Sequence, residues 1–317
     1  FPTRRSSDLL PTARVLTGAD LDELHDEALW REAERTDLFV EVDPNQKERI
    51  ILALKKMGHV VGFLGDGVND APAMHAADTS LSVDQAVDVA REAADFVLLE
   101  RHLDVIRRGI EEGRKTFANT LKYVLTTMSA NLGNMASMAL SSLFLPFLPL
   151  LAGQILLNNF LSDIPAVGLA DDDVDPELVE RPRRWDIRFI GRFMVVFGLL
   201  SSAFDLLTFG LLLRVFDAGP ELFRTGWFIE SLLTELVIAL IVRTRRPFFR
   251  SRPGRFLFWS TQALVVLTFA IPFIPFTGAL GFVPPPAALL LTLALVTAGY
   301  VLAAEVVKRW FYRGRRA

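Results

Sequence analysis

The chain has 317 residues, a length that accommodates two domains, and 51% of its residues are hydrophobic, including 25 phenylalanines. It contains no cysteine, which excludes disulfides and thiolate metal sites, while its net charge of -3 neither indicates nor excludes a nucleic-acid partner. The apolar excess lies after residue 120, so the sequence predicts a soluble part followed by a membrane part. The four histidines lack the spacing of metal ligands and are interpreted as structural: His25, His59, His75 and His102.

The first nine residues, FPTRRSSDL, look like the in-frame translation of a common sequencing adapter. We therefore exclude residues 1–9 from the fold prediction. This interpretation predicts that the sequence begins where a sequencing contig ended.

Strands alternate with helices in the soluble part, residues 10–102. The predicted strands are 13–16, 37–42, 60–64, 79–82 and 95–99, and the predicted helices between them are 20–35, 44–57, 71–77 and 84–94. Such alternation predicts an α/β domain with one parallel sheet and right-handed crossovers. Residues 103–123 follow as one long helix with an apolar stripe among charges.

The stretch VVGFLGDGVNDAP, residues 60–72, joins a buried strand to a turn rich in glycine and carboxylate. Gly65 and Gly67 break the strand, which places Asp66 and Asp70 at its carboxyl end, where open α/β sheets bind ligands. Carboxylates are hard oxygen ligands, and glycine allows the backbone to approach a phosphate. The stretch therefore predicts a site for Mg²⁺ and a phosphoryl group.

A lysine near the start of the preceding helix adds to this site. Lys47 lies three residues after Pro44, from where its side chain can reach over the strand ends towards a phosphate. The alternative is a solvated helix lysine, which is what most lysines are. The spacing to the GDGVND turn favours the phosphate-binding interpretation.

The membrane part, residues 121–307, contains six apolar stretches, each long enough to cross about 30 Å of hydrocarbon with about 20 residues. They are roughly 121–145, 148–168, 189–216, 226–242, 256–276 and 286–307. Arginines are concentrated in the loops 168–188 and 243–255 and in the basic tail 308–317, whereas the opposite loops hold Arg224 alone. This distribution predicts that both termini and the soluble part are cytoplasmic.

Polar side chains inside the first two predicted spans are candidates for ion binding, because burying them in a membrane is costly. Asn131 and Asn134 are three residues apart and share one helical face. Asn159 and Asp163 are four residues apart in the second span, beside Asn158. Across a hairpin, these residues would offer several oxygen ligands and one formal negative charge to a hard, partly hydrated cation.

Three further carboxylates occupy later predicted spans. Glu230 and Glu235 add two acidic groups to the fourth span, but a separation of five residues places them on different faces. Structural pairing is an equally good interpretation of both. We expect Asp205 in the third span to pair internally, and we expect the acidic run 171–173, outside the spans, to be solvated.

The run GDGVNDAP, followed by AADTSLSVDQAVDVAREAAD, resembles the hinge motif of the P-type cation-transporting ATPases. Their phosphorylation domain has the haloacid-dehalogenase fold. Six spans disfavour the heavy-metal pumps, which have two in this region. From about Val15 onwards, the chain resembles the bacterial magnesium-transporting members of this family. The runs that carry the resemblance are TFANTLKY, NLGN, FLPFLP, NNFLSDIP, GRFMVVFG, FDLLTF, GWFIESLL and RTRRPF. Calcium pumps share the pattern in the second span, which therefore does not identify the ion.

The resemblance implies an ATP-driven pump with an aspartyl-phosphate intermediate, in which Asp66 and Asp70 bind the catalytic Mg²⁺. It also implies that Asn69 and Asp70 hold the loop and the phosphate network and that Lys47 neutralises phosphoryl charge. Residues 103–123 would be the stalk that couples phosphorylation to the ion site. The expected protein is multi-pass in the plasma (inner) membrane, moves Mg²⁺ into the cytoplasm and has no nucleic-acid partner.

The sequence departs from the family pattern because it has no DKTG and no TGES motif, and it has no match to the nucleotide-binding domain or the first four membrane helices. We therefore expect a carboxyl-terminal part, inactive alone, whose partner is the missing amino-terminal portion. Alternatives are a pump for another divalent cation such as Ca²⁺, or a non-catalytic membrane protein derived from a pump. A membrane-anchored phosphatase of the haloacid-dehalogenase type is disfavoured, since Asp20 and Asp22 lack the threonine that follows its D-x-D nucleophile.

Overall fold

The computed structural model describes residues 13–100, 102 and 104–313. The adapter-like segment 1–9, the first residue of the expected stalk helix (103) and the last four residues of the basic tail lie outside the described residues. The chain divides into two units, 1–108 and 109–317, each with its own internal packing.

The first unit alternates short strands and helices. In chain order they are β1 (Val15–Thr17), α1 (Gly18–Glu23), α2 (Asp26–Arg35), β2 (Leu38–Val40), α3 (Pro44–Lys56), β3 (Gly62–Leu64), α4 (Ala71–Ala76), β4 (Thr79–Val83), α5 (Asp88–Glu92) and β5 (Phe96–Leu98). Helix α5 is shorter than the expected helix 84–94, because the residues after β4 form a turn in which the Ala86 amide donates to the Val83 carbonyl.

The strands form two parallel sheets where the sequence predicts one. Strand β1 pairs with β2, with Val15 opposite Leu38, and β4 lies between β3 and β5 in a sheet of three. The α/β character is therefore observed, while the haloacid-dehalogenase fold stays a prediction.

Helix α3 begins with a reciprocal cap. The Asp43 carboxylate accepts from the Gln46 amide, and the Gln46 side chain accepts from the Asp43 amide, with Pro44 in the first turn. The Gln46 side-chain nitrogen also donates to the Gly18 carbonyl, 3.0 Å away. These bonds determine where the first turn of α3, and thus Lys47, lies.

The second unit is helical. Its helices are α6 (Asp104–Ser141, which begins within the first unit), α7 (Ala152–Val167), α8 (Pro176–Val179), α9 (Ile187–Arg214), α10 (Pro220–Val242), α11 (Arg255–Ala270) and α12 (Ala287–Arg313). Helix α6 runs without a break through the expected stalk and most of the first expected span. Helix α10 begins six residues before the expected start, at Pro220, because Gly219 and Pro220 provide a helix start there.

Four helices of the described chain are long and apolar enough to cross a membrane: α9, α10, α12 and α11 with its 3₁₀ extension to Phe273. Helix α7 has 16 residues, and the expectation of six spans stays a prediction. Helix α10 packs against α7, α9, α11 and α12 and is buried along nearly its whole length. The outer helices expose large apolar side chains, among them Leu199, Val266 and Leu302, as a surface facing lipid requires.

Helices α6 and α9 approach closely through glycine. A Cβ on Gly133 would lie 2.8 Å from the Ser201 Cβ and 3.2 Å from the Gly198 carbonyl oxygen. The Ser202 hydroxyl donates to the Gly133 carbonyl at 3.1 Å, which ties the two helices together at this point.

We predict that Gly133→Ala lowers the midpoint of thermal unfolding, because the added methyl group forces α6 away from α9. The matched control is Gly210→Ala in α9, where an added Cβ meets nothing within 4 Å and the gain in helix propensity is up to about 1 kcal/mol. Both are measured on the full-length protein in detergent. Equal midpoints for the two variants would contradict the close approach.

Candidate functional site

The turn after β3 is built around the carboxylate of Asp70. Its Oδ2 accepts from the backbone amides of Asp66 and Gly67, both at 3.2 Å, and its Oδ1 accepts from Lys47 Nζ at 2.7 Å. Gly65 is required sterically, since a Cβ there would lie 2.6 Å from the Asp70 Cβ. The structure thus brings Lys47 and Asp70 together from two segments that are distant in sequence.

The Asp70 carboxylate is ionised in this setting. Burial by itself would raise the pKa of Asp70, but the hydrogen bonds from Lys47, Gly67 and Asp66, with the charge of Lys47, outweigh it and hold the pKa below its usual value. Both carboxylate oxygens are engaged within the protein. Asp70 therefore has the geometry of a group that holds the loop, and its direct binding to Mg²⁺ stays a prediction.

Asp66 and Asn69 are exposed at the same turn. Asp66 lines an open cavity of about 400 Å³ at the carboxyl ends of β3, β4 and β5, together with Gln85, Glu100 and His102. Mg²⁺ in phosphoryl-transfer sites is usually held by one or two carboxylates plus substrate phosphates. The exposed carboxylate of Asp66 fits this requirement, and Gly67, with space beside it, leaves the backbone accessible.

A second candidate site lies in the helical unit. A cavity of about 250 Å³ is lined by Asn131 of α6, Asn159 and Asp163 of α7 and Glu235 of α10. The structure therefore brings together four of the six membrane side chains that the sequence singles out. Pro165 lies inside α7 beside the cavity and removes one backbone donor from that helix.

The remaining two of the six lie outside this cavity. The Asn134 side chain accepts from the Ser231 hydroxyl at 3.2 Å and lines a neighbouring small cavity, which Glu235 also lines. Glu230 is completely buried and does not line either cavity. A five-residue separation on α10 does place the two glutamates on different faces.

Two polar residues at this site, Asn158 and Ser162, are not among the six that the sequence singles out. The Asn158 side chain donates to Glu235 at 3.0 Å, and Ser162 lines the cavity. Their spacing in the sequence could have indicated them, because Ser162 lies three residues after Asn159 and four after Asn158, on neighbouring parts of one helical face. A short hydroxyl in an apolar helix is too common to be recognised without the fold.

The expectation that the run 171–173 is solvated is wrong for its central residue. Asp172 is buried, and its carboxylate contacts Lys122 at 2.6 Å and Arg243 at 3.0 Å. It also accepts from the Gly254 amide at 2.8 Å. The two cations are 50 and 71 residues away from Asp172 in the chain, so the neighbouring residues of Asp172 do not indicate that it is paired.

Comparison with known proteins gives a consistent result. The family model described as "Cation transporting ATPase, C-terminus" matches residues 147–310. The "Magnesium-transporting ATPase, P-type 1" of Escherichia coli K12 is 45% identical over 309 residues, covering 96% of this chain and 34% of that protein. A "Calcium-transporting ATPase" of Bacillus subtilis is 30% identical over 280 residues, covering 84% of this chain and 31% of that protein. The chain spans about a third of the length of these relatives.

We predict that Lys47→Met weakens the turn after β3 by about 1–2 kcal/mol at neutral pH, because it removes a charged hydrogen bond to Asp70. The pKa of Asp70 is lowered in the folded protein, so its stabilisation is present at neutral pH and is lost as pH falls towards that lowered pKa. In the variant the pKa of Asp70 is lowered less, so less stabilisation is lost and its loss is complete at a higher pH. Amide hydrogen-exchange protection at Asp66 and Gly67 reports both effects. The exposed Lys56 of the same helix provides the control Lys56→Met, which should leave protection unchanged.

We predict that Asp172→Asn is strongly destabilising, by about 3–5 kcal/mol, because Lys122 and Arg243 lose the charge that compensates their burial. The thermal midpoint of the full-length protein should fall by roughly 10 °C. Asp171→Asn changes an exposed neighbour and serves as the control. A shift for Asp172→Asn no larger than that of the control would refute the assigned role.

Proposed function

Because the chain belongs to the cation-transporting P-type ATPases, we propose that it is the carboxyl-terminal part of an ATP-driven pump that moves Mg²⁺ into the cytoplasm. The observation that carries the proposal is the cavity where Asn131, Asn159, Asp163 and Glu235 converge. It is supported by 45% identity to a magnesium-transporting relative along almost the whole chain. The arginine-rich loops would face the cytoplasm, with the multi-pass helices in the plasma membrane.

The chemistry of the cavity suits a hard cation. Amide and carboxylate oxygens from α6, α7 and α10 are the ligand types that Mg²⁺ and Ca²⁺ prefer. A volume of about 250 Å³ has room for several waters at about 30 Å³ each. Mg²⁺ gives up water reluctantly and usually keeps several bound molecules, which favours it as the cargo; Ca²⁺ is the alternative, since a calcium-transporting relative is also similar.

The turn after β3 would act in phosphoryl transfer. Asp66 would hold the catalytic Mg²⁺, Lys47 would place a positive charge beside the phosphoryl group, and Asp70 would keep the turn and Lys47 in position. When bound, the Mg²⁺–ATP complex supplies the phosphoryl group and neutralises its developing charge. Asn69 is exposed on the same turn and would contact the phosphate network.

The division of the strands into two sheets supports the proposal that the phosphorylated residue lies on another part of the protein. In the doubly wound order, the absent central strand would lie between β1 and β3, with its carboxyl end beside the turn that carries Asp66. We propose that the rest of the protein supplies this strand and the aspartate that forms the aspartyl-phosphate intermediate at its end. The chain alone would then be inactive.

The experiment that tests the function is cation uptake by the full-length protein in proteoliposomes with ATP. Asp163→Asn should lower Mg²⁺ uptake at least about 10-fold by removing a charged ligand, while Asp66→Asn should abolish ATP hydrolysis by removing the catalytic metal ligand. Glu221→Gln, at the first turn of α10 and away from the cavity, is the control. Uptake of Ca²⁺ in place of Mg²⁺ would support the alternative cargo, and uptake unaffected by Asp163→Asn would refute the site.

A further inference from the structure

Two acidic side chains meet in the membrane part, outside the cation cavity. Asp205 of α9 is 1% exposed and Glu230 of α10 is 0% exposed, and their carboxyl groups face each other. Asp205 also accepts from the Ser137 hydroxyl at 2.5 Å and from the Trp227 indole nitrogen at 2.8 Å. The pair therefore joins α6, α9 and α10.

No positive charge in the described part of the helical unit compensates the pair. Within residues 104–313, neither carboxyl group forms a salt bridge, and neither Glu230 oxygen receives a hydrogen bond from a hydroxyl, amide or amine donor. The groups that face the pair are Ser137 from α6, Trp227 from α10 and the Tyr300 phenol from α12. Glu235, five residues further along α10, carries another carboxyl group and no compensating positive charge.

Elementary electrostatics excludes two ionised carboxylates here. Burying each ion costs several kcal/mol, and the repulsion between them adds to that cost. Two carboxyl groups can also hydrogen-bond to each other only if one of them carries a proton. Asp205 receives two donors, which favours its charged form, whereas Glu230 receives none.

We propose that Asp205 and Glu230 form a proton-binding site, with the proton held on Glu230 and donated to Asp205. The site is separate from the proposed cation cavity but shares two helices with it. Ser137 lies three residues after Asn134 on α6, and Glu230 precedes Ser231, which bonds to Asn134. A movement of α6 against α10 therefore reaches both the cation cavity and the proton.

Infrared spectroscopy of the full-length protein in lipid nanodiscs tests the proposal without requiring transport or ATP hydrolysis. The wild type should show the carbonyl stretch of a protonated carboxylic acid at alkaline pH. Glu230→Gln should lose this band, while Asp205→Asn should keep it at a shifted frequency, because the acid on Glu230 remains but its acceptor changes. Glu235→Gln, at the proposed cation site, is the matched control and should retain the band unshifted.

Several results would overturn the proposal. They are a wild type without the band, a band unaffected by Glu230→Gln, a band unshifted by Asp205→Asn, and a band that disappears when Mg²⁺ is added, which would identify the pair as a metal ligand set. If Glu230→Gln does not fold, as judged by its thermal unfolding, the shift in Asp205→Asn still decides. If the wild type shows the bands as predicted but does not take up Mg²⁺ in proteoliposomes, the proposed function is contradicted and the proton site is not.

Discussion

The packing of the helical unit depends on one buried anion, which compensates two buried cations. Asp172 lies between Lys122 of α6 and Arg243 at the end of α10, and it also accepts from the amide of Gly254 before α11. Each of these charges would be expensive to bury alone, so the three elements are stable only in the arrangement that brings them together. Lys308 of α12 is a further buried cation that contacts the end of α10. Its ammonium donates to the Ile241 carbonyl at 2.9 Å.

The free-energy cost of burying charged groups in the helical unit is offset in three different ways. The cluster around Asp172 neutralises charge by ion pairing. The cavity around Asp163 leaves about 250 Å³ of space beside its polar side chains, whereas we propose that a proton compensates the pair formed by Asp205 and Glu230. Because α6 and α10 contribute to all three sites, a displacement of either helix changes the energy of each of them.

The first unit shows the same dependence on a single contact. Lys47 follows a reciprocally capped helix start, and Asp70 follows a turn that only glycine at residue 65 permits. The ion pair between them links the segment that follows β2 to the segment that follows β3, although these strands belong to separate sheets.

The sequence by itself determined the α/β alternation, the apolar helices and the identity of the GDGVND turn, because periodicity and glycine placement act over a few residues. It also placed Asn159 and Asp163 on one helical face, since a separation of four residues is a local property. Only the tertiary structure decided that Asp172 is buried, that Glu230 faces Asp205 and that the strands divide into two sheets. The partners in these contacts are distant in the chain, and burial costs are determined by the complete packing rather than by neighbouring residues.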